Sequence, residues 1–145
     1  MTRRVLILCT GNSARSQMAE GLLRHLGEGN LEVRSAGTAP SALHPLAIRA
    51  MEEIGIDISG QHSKHLDEFL HSSFEDVITV CDNAAESCPV FPGSSRRTHW
   101  SLPDPAAAGG DEADQLDAFR RVREDLDRHL RQWLQNQTNA VESPT

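Results

Sequence analysis

A cysteine, five intervening residues, an arginine and a serine stand together at Cys9-Thr10-Gly11-Asn12-Ser13-Ala14-Arg15-Ser16. They follow the apolar run Val5-Leu6-Ile7-Leu8 and open a stretch with helical periodicity. A loop of this kind can wrap a tetrahedral oxyanion. The backbone N–H groups of Thr10, Gly11, Asn12, Ser13 and Ala14 turn inward, and the following helix adds the positive end of its dipole. The same field favours the thiolate of Cys9, the form that acts as a nucleophile. Arg15 can hold two oxygens of the anion bidentately, and Ser16 can donate a hydrogen bond to the sulfur. These residues describe attack on a phosphate-like anion through sulfur. A lone cysteine at a strand end is ordinarily just a small buried residue. Here strand, glycine, arginine, serine and helix all fall at the offsets the chemistry requires. A Walker-type nucleotide loop is excluded, because no Gly-Lys-Ser/Thr follows.

The segment Cys81-Asp82-Asn83-Ala84-Ala85-Glu86-Ser87-Cys88-Pro89 carries the other two cysteines, seven positions apart. It reads as a short helix or a loop. A helix would separate the two thiols by about two turns, on the order of 10 Å, whereas a disulfide needs Cα atoms within roughly 7 Å. Bonding Cys81 to Cys88 would therefore require the segment to unwind or loop back. Three thiols, one of them a nucleophile, suggest a relay that ends in a disulfide. Zinc through Cys81, Cys88 and His99 finds no support, since no C-x-x-C or H-x₃₋₅-H spacing is present. The seven histidines show no metal-like spacing and read as surface or packing residues.

The elements that must position these groups alternate between strand and helix. Val5–Leu8 is a buried strand. Residues 16–26 are helical, with Met18, Leu22, Leu23 and Leu26 on one face, and Gly27 and Gly29 stop the helix. Residues 31–36 alternate as a strand that ends in Gly37. A helix over residues 44–54 starts with Pro45 in its first turn and has Gly55 after its end. Leu66–Leu70 is a short helix, and residues 76–80 form a second apolar strand that ends at Cys81. Residues 97–102 make a fourth strand. The helix of residues 111–134 brings Leu116, Phe119, Val122, Leu126, Leu130, Trp133 and Leu134 roughly into phase. Helices between strands imply an α/β fold, a four-stranded parallel sheet covered by helices on both faces. Sites in such sheets lie beyond the carboxyl ends of the strands. Cys9, Cys81 and Pro103-Asp104-Pro105 should therefore converge on one rim. Between two prolines an aspartate is commonly a turn residue, but its place after a strand makes Asp104 a candidate acid. Residues 1–134 read as one domain, and Gln135–Thr145 as a polar, frayed tail.

Composition narrows the function classes. A chain of 145 residues with 38% hydrophobic and 24% charged residues can bury a real core as one domain. A formal charge of −7 speaks against a nucleic-acid partner, so an anionic substrate must be drawn by local field. No apolar run is long enough to cross a membrane. The four apolar residues and Cys9 that follow Arg3-Arg4 make a strand, not a signal peptide, and the chain is expected in the cytoplasm. Three cysteines are too few, and odd in number, for a secreted disulfide scaffold.

Taken together, residues 8–21 (LCTGNSARSQMAEG), Ser35-Ala36-Gly37, the Cys81/Cys88 pair before Pro89, and His99-Trp100 leading to Asp104-Pro105 resemble one family. The chain resembles the thioredoxin-coupled arsenate reductases, built on the low-molecular-weight tyrosine phosphatase fold. The likeness runs from Val5 to about Trp133. It implies a four-stranded parallel sheet flanked by helices. It also implies Cys9 as nucleophile, Arg15 as oxyanion clamp, Ser16 as thiolate stabiliser, Asp104 as general acid and Asn12 as a prop of the loop. Cys81 and Cys88 would be the relay thiols. Arsenate would be the substrate and external thioredoxin the reductant, with no bound cofactor. In that chemistry Cys9 displaces an arsenate oxygen, which Asp104 protonates. Cys81 attacks the sulfur of the adduct and arsenite leaves with two electrons. Cys88 then frees Cys9 by thiol–disulfide exchange.

The chain departs from the family at two positions. Some members carry another cysteine where this chain has Ala14, which the relay does not need. Some hold a potassium ion with a carboxylate at the position of Lys64. A lysine there repels a cation and could replace it electrostatically, so no metal site is expected, although Asn12, Glu20 and Ser35 remain. His62 and His65 flank Lys64. Three other readings stay open: a phosphatase acting on phosphotyrosine or aryl phosphates, which needs Cys9, Arg15 and Asp104 only; a non-catalytic oxyanion-binding or redox-sensing module; and a reductase served by a monothiol. The chain has no tyrosine and little aromatic material to grip a phosphotyrosine ring.

Overall fold

The computed structural model describes residues 3–86, 88, 91 and 95–142. Its centre is β1 (Arg3–Cys9), whose last five residues are all buried. An apolar strand of this kind is satisfied only with neighbours on both edges and cover on its faces. It has them: β2 (Leu31–Gly37) pairs parallel along one edge and β3 (Asp76–Thr79) along the other. The fourth strand, β4 (Arg96–His99), adds parallel to β3 and closes the order β2-β1-β3-β4. The strand is short and largely exposed, with the sequence RRTH, a composition suited to an edge.

Register decides where the chemistry lies. Cys9 pairs with Gly37, Leu8 with Thr79, and Thr79 with His99. All four strands therefore finish side by side, and the chain leaves Cys9 and Thr79 into two adjacent loops on one rim. The helix α1 (Arg15–Leu26) follows the first of these loops, and α3 (Asp82–Glu86) follows the second. The remaining helices are α2 (Pro45–Glu52) and α4 (Glu112–Glu142). α1, α2 and α4 pack on one another, whereas the short α3 lies against β1 and β3. Leu116, Phe119, Val122, Leu126, Leu130 and Trp133 of α4 are buried, as their periodicity requires.

Helix ends follow from local chemistry. His44 caps α2 by accepting the Leu46 N–H at 3.1 Å, with Pro45 in the first turn. Asp111 and Asp114 exchange hydrogen bonds at the start of α4, in the manner of a capping box. No side chain caps α1. Its first N–H groups are therefore left for whatever lies before the helix.

Two differences from the sequence reading stand out. The last helix does not fray at Gln135 but continues to Glu142. No glycine or proline interrupts it before Pro144, and Gln137 is hydrogen-bonded by Arg96 of β4. The stretch 66–70 is a 3-10 turn, Leu66–Phe69, capped by His65. Of the segment Cys81–Pro89, Ser87 and Pro89 lie outside the described residues, as do residues 143–145. Among the described residues no helix is long and apolar enough to cross a membrane.

Gly37 is the tightest point of the rim. A Cβ there would lie 2.4 Å from the carbonyl oxygen of Thr10 and 3.0 Å from the Asn12 nitrogen, both backbone atoms. Gly37→Ala is therefore expected to destabilise the protein by about 1–3 kcal/mol, the usual cost of overpacking. Gly60→Ala, whose Cβ meets open space, should stay within about 0.5 kcal/mol of the parent. Urea denaturation of the two variants checks the contrast.

Candidate active site

Asn12 has φ +47°, a left-handed conformation that asparagine tolerates better than most residues. The turn brings its N–H onto Cys9 Sγ at 3.2 Å. Its side chain is completely buried and saturated: Nδ2 donates to Ser16 Oγ at 2.8 Å and to Ser35 Oγ at 2.9 Å. Its Oδ1 accepts the Lys64 N–H and Gln17 Nε2, both at 3.0 Å. Its backbone carbonyl accepts Gln17 Nε2 at 3.0 Å and Ser63 Oγ at 2.6 Å. One residue thus ties the loop to α1, to β2 and to the segment after α2.

That network reaches the thiol. Ser16 Oγ lies 2.8 Å from Cys9 Sγ. It already accepts from Asn12 Nδ2, a group that can only donate. A Cys9 thiolate can only accept, so in that form the sulfur receives two hydrogen bonds, one from the Ser16 O–H and one from the Asn12 N–H. On the far side Ser35 Oγ donates to Glu20 Oε1 at 2.6 Å. A continuous chain of hydrogen bonds thus runs from the buried Glu20 carboxylate to the thiol.

The loop opens on a cavity of about 230 Å³, lined by Cys9, Thr10, Gly11, Ser13, Ala14, Arg15, Ser41, Asp104 and Ala106. The uncapped start of α1 enters it at Ala14 and Arg15. Arg15 is held by its Nη1 donating to the Leu102 carbonyl at 3.0 Å. Asp104 caps a 3-10 turn, Pro105–Ala107, and accepts the Ala106 N–H at 3.0 Å. The turn role and a place in the wall of the Cys9 cavity coexist. Cys9, Thr10, Gly11, Ser13, Ala14, Arg15 and Asp104 meet at this one cavity, whereas Asn12 and Ser16 are buried behind its wall.

The other two thiols are placed differently from each other. Cys81 is buried beside the loop, with its Sγ 3.3 Å from Thr10 Oγ1 and accepting the Ala84 N–H at 3.4 Å. Cys88 stands beyond the other end of α3, half-buried, in a separate cavity of about 160 Å³ with Val77, Thr79, Arg97, Thr98 and His99. Among the described residues, Cys9, Cys81 and Cys88 form no disulfide. Burial pushes the Cys88 thiol up from its ordinary pKa, with Arg97 opposing. His99 joins the two halves of this region. Its Nε2 donates to Asp82 Oδ1 at 2.8 Å, and its Nδ1 lies 2.7 Å from Thr79 Oγ1.

Three groups carry more of the site than their sequence positions announced. Gln17 and Ser63 both hold the Asn12 carbonyl, yet a polar residue at a helix start or in a loop carries no distinguishing signal. Lys64 is nearly buried, with its Nζ 3.7 Å from Glu20 Oε1 and donating to the His62 carbonyl at 3.1 Å. Burial lowers its pKa and Glu20 opposes the shift. Its ammonium brings a positive charge to the Asn12, Glu20 and Ser35 cluster. Among the described residues no three His, Cys, Asp or Glu side chains are grouped to hold a metal ion.

A parallel α/β sheet with a doubly hydrogen-bonded thiol in an oxyanion-sized loop defines a cysteine-dependent enzyme of the phosphate-handling kind. The chain belongs to the low molecular weight phosphotyrosine protein phosphatase family, which it matches over residues 4–143. The arsenate reductase of Bacillus subtilis (strain 168) is 40% identical over 131 residues, covering 90% of this chain and 94% of that protein. A solved arsenate reductase in its phosphate-binding state superposes with a TM-score of 0.75 at 34% identity, covering 93% of this chain and 98% of its own. The thioredoxin-dependent arsenate reductase of Corynebacterium glutamicum gives a TM-score of 0.72 at 31% identity, covering 93% of this chain and 61% of that one.

Asn12→Gly keeps the left-handed backbone but strips the side-chain hydrogen bonds. It leaves Ser16, Ser35 and the Lys64 N–H each short of a buried partner, at about 1–3 kcal/mol for a group left unsatisfied. The expected outcome is a loss of at least about 2 kcal/mol in urea denaturation, with weaker binding of inorganic phosphate by calorimetry. Unchanged stability would show that the backbone turn alone holds the loop.

Proposed function

We propose that this chain reduces arsenate to arsenite through the Cys9 thiolate and a relay of Cys9, Cys81 and Cys88, regenerated by thioredoxin. The observation that carries the reading is the Thr10 hydroxyl, 3.3 Å from Cys81 Sγ. It places a second thiol against the wall of the oxyanion loop, where a phosphatase needs none. Relatives named as arsenate reductases at about 40% identity support the same reading.

In the proposed sequence arsenate sits on the loop amides, the uncapped start of α1 and the Arg15 guanidinium. The Cys9 thiolate attacks arsenic, an S–As bond forms and an As–O bond breaks. The leaving oxygen takes a proton from Asp104 and departs as water. The Cys81 thiolate then attacks Cys9 Sγ. An S–S bond forms, the S–As bond breaks, and its electron pair stays on arsenic, which falls from As(V) to As(III). Cys88 attacks Cys81 in turn and returns Cys9 as a thiolate. Thioredoxin, a dithiol outside this chain, reduces the Cys81–Cys88 disulfide. The electrons come from thiols throughout, so no resident cofactor is required, and the cytoplasm supplies the reducing surroundings. The second reading, hydrolysis of aryl phosphates, uses the same Cys9, Arg15 and Asp104. The cavity residues include no aromatic ring to stack on such a substrate.

Turnover with arsenate, thioredoxin, thioredoxin reductase and NADPH, run beside aryl-phosphate hydrolysis, separates the two. Cys9→Ser is expected to abolish both activities without unfolding the chain, because a hydroxyl has no comparably accessible anion. Arg15→Lys keeps the charge but loses the planar fork, and should lower turnover by about 10²–10³. Near-normal kinetics in Arg15→Lys would make that arginine structural.

Cys88→Ser isolates the relay. It should release about one arsenite per enzyme by the stoichiometry above and stall as a Cys9–Cys81 disulfide, visible by mass spectrometry of the quenched reaction. Cys81→Ala should stop at the adduct with no arsenite released. Multiple turnovers of Cys88→Ser with thioredoxin alone would remove Cys88 from the mechanism.

A further inference from the structure

Cys88 presents a chemical difficulty that the loop does not solve. Its thiol is half-buried, and burial disfavours the thiolate it needs for attack. The dipole of α1 and the loop amides serve Cys9, and Thr10 lies beside Cys81, but Cys88 lines a separate cavity beyond α3. Among the described residues, one fixed positive charge lines that cavity. Arg97 projects from the exposed edge strand β4, its Nη1 donates to the Cys88 carbonyl at 3.5 Å, and its positive charge opposes the upward push of burial on the Cys88 thiol.

We infer that Arg97 readies Cys88 for the second exchange: the guanidinium, anchored on the Cys88 carbonyl, holds the thiolate that attacks Cys81. The inference rests on the relay reading above. The step it assists is thiol–disulfide exchange. Cys88 gives its proton to solvent, and its thiolate attacks Cys81 Sγ of the Cys9–Cys81 disulfide. The Cys81–Cys88 bond forms as the Cys9–Cys81 bond breaks, and Cys9 leaves as a thiolate. No net electrons are gained or lost.

Among the described residues, the charged and titratable groups facing Cys88 are few. β4 supplies Arg97 and His99, β3 supplies only the uncharged Val77 and Thr79, and Asp82 of α3 reaches the cavity through His99. The pH dependence of the exchange should therefore report Cys88 and its guanidinium. The rate rises with pH as the thiolate forms. Removing the positive charge moves that rise to higher pH. A neighbouring opposite charge changes an ionisation equilibrium by about ten- to a thousandfold. Each tenfold loss of thiolate is softened to roughly threefold in rate, because a more basic thiolate is the better nucleophile. The expected loss at neutral pH is thus about three- to thirtyfold.

The test gives the reduced full-length chain one equivalent of arsenate without thioredoxin. Samples are quenched with a thiol alkylator over time between pH 6 and 9. Mass spectrometry follows the Cys9–Cys81 and Cys81–Cys88 disulfides, and released arsenite marks the earlier steps. Arg97→Met and Arg97→Gln should accumulate the Cys9–Cys81 form and shift the exchange profile to higher pH. Arg97→Lys should restore most of the rate. The parent rate and profile in both Arg97→Met and Arg97→Gln would overturn the role of Arg97 while leaving the relay intact. A parent enzyme that releases arsenite but never forms a Cys81–Cys88 disulfide would overturn the relay itself, and the role of Arg97 with it.

Discussion

The oxyanion loop is held in shape by the buried side-chain amide of Asn12. A backbone of five consecutive N–H groups curled toward one point leaves its carbonyls facing outward into the protein, where each needs a partner. The left-handed turn at Asn12 makes the curl, and the amide fastens it to Ser16, Ser35, Gln17 and the Lys64 N–H. Gly37 must lie directly beneath, because any side chain there would meet the Thr10 carbonyl. The same bonds hold Ser16 Oγ 2.8 Å from Cys9 Sγ, where it can donate to a thiolate. Loop shape and thiol chemistry are therefore one arrangement, and the negative charge of Glu20 sits at its far end, balanced by Arg24 at 2.8 Å and Lys64 at 3.7 Å.

The second loop of the rim works by the opposite physics. Only five residues are helical in α3, fewer than an isolated helix needs to persist. It is held at its start, by the Ala84 N–H on Cys81 Sγ and by His99 on Asp82. The bond from His99, and a lesser one from Ser101, hold the Asp82 carboxyl below its usual pKa range. Such a helix keeps Cys81 against Thr10 and Cys88 in its own cavity, yet costs little to unwind. The relay proposed above, which must separate two thiols in one state and join them in another, would draw on that combination. A longer, better-packed helix would keep the thiols apart.

Much of the architecture was legible in the residues. The apolar runs around Val5 and Val77 gave β1 and β3, the helical phasing of Leu116 to Trp133 gave α4, and Pro45, Gly27 and Gly37 marked ends close to where they fall. The spacing from Cys9 to Ser16 gave the oxyanion loop, because strand, loop and helix are contiguous there. Local sequence determines local geometry when every participant lies within a few residues. The polar residues after Leu134 carry no apolar phasing, yet α4 runs on to Glu142, where no helix breaker stands and Gln137 meets Arg96.

The sequence by itself therefore determined the α/β class and the contiguous loop from Cys9 to Ser16 at a strand end, both of which follow from short-range pattern and elementary chemistry. Only the tertiary structure decided which remote groups serve them. Gln17, Ser63 and Lys64 converge on Asn12 because the segment after α2 is folded back against α1. Cys81 reaches Thr10 because β3 pairs in register with β1. Arg97 meets Cys88 because β4 is laid along β3. Strand register and the folding-back of loops are set by the packing of the whole core, and no window of sequence contains that information.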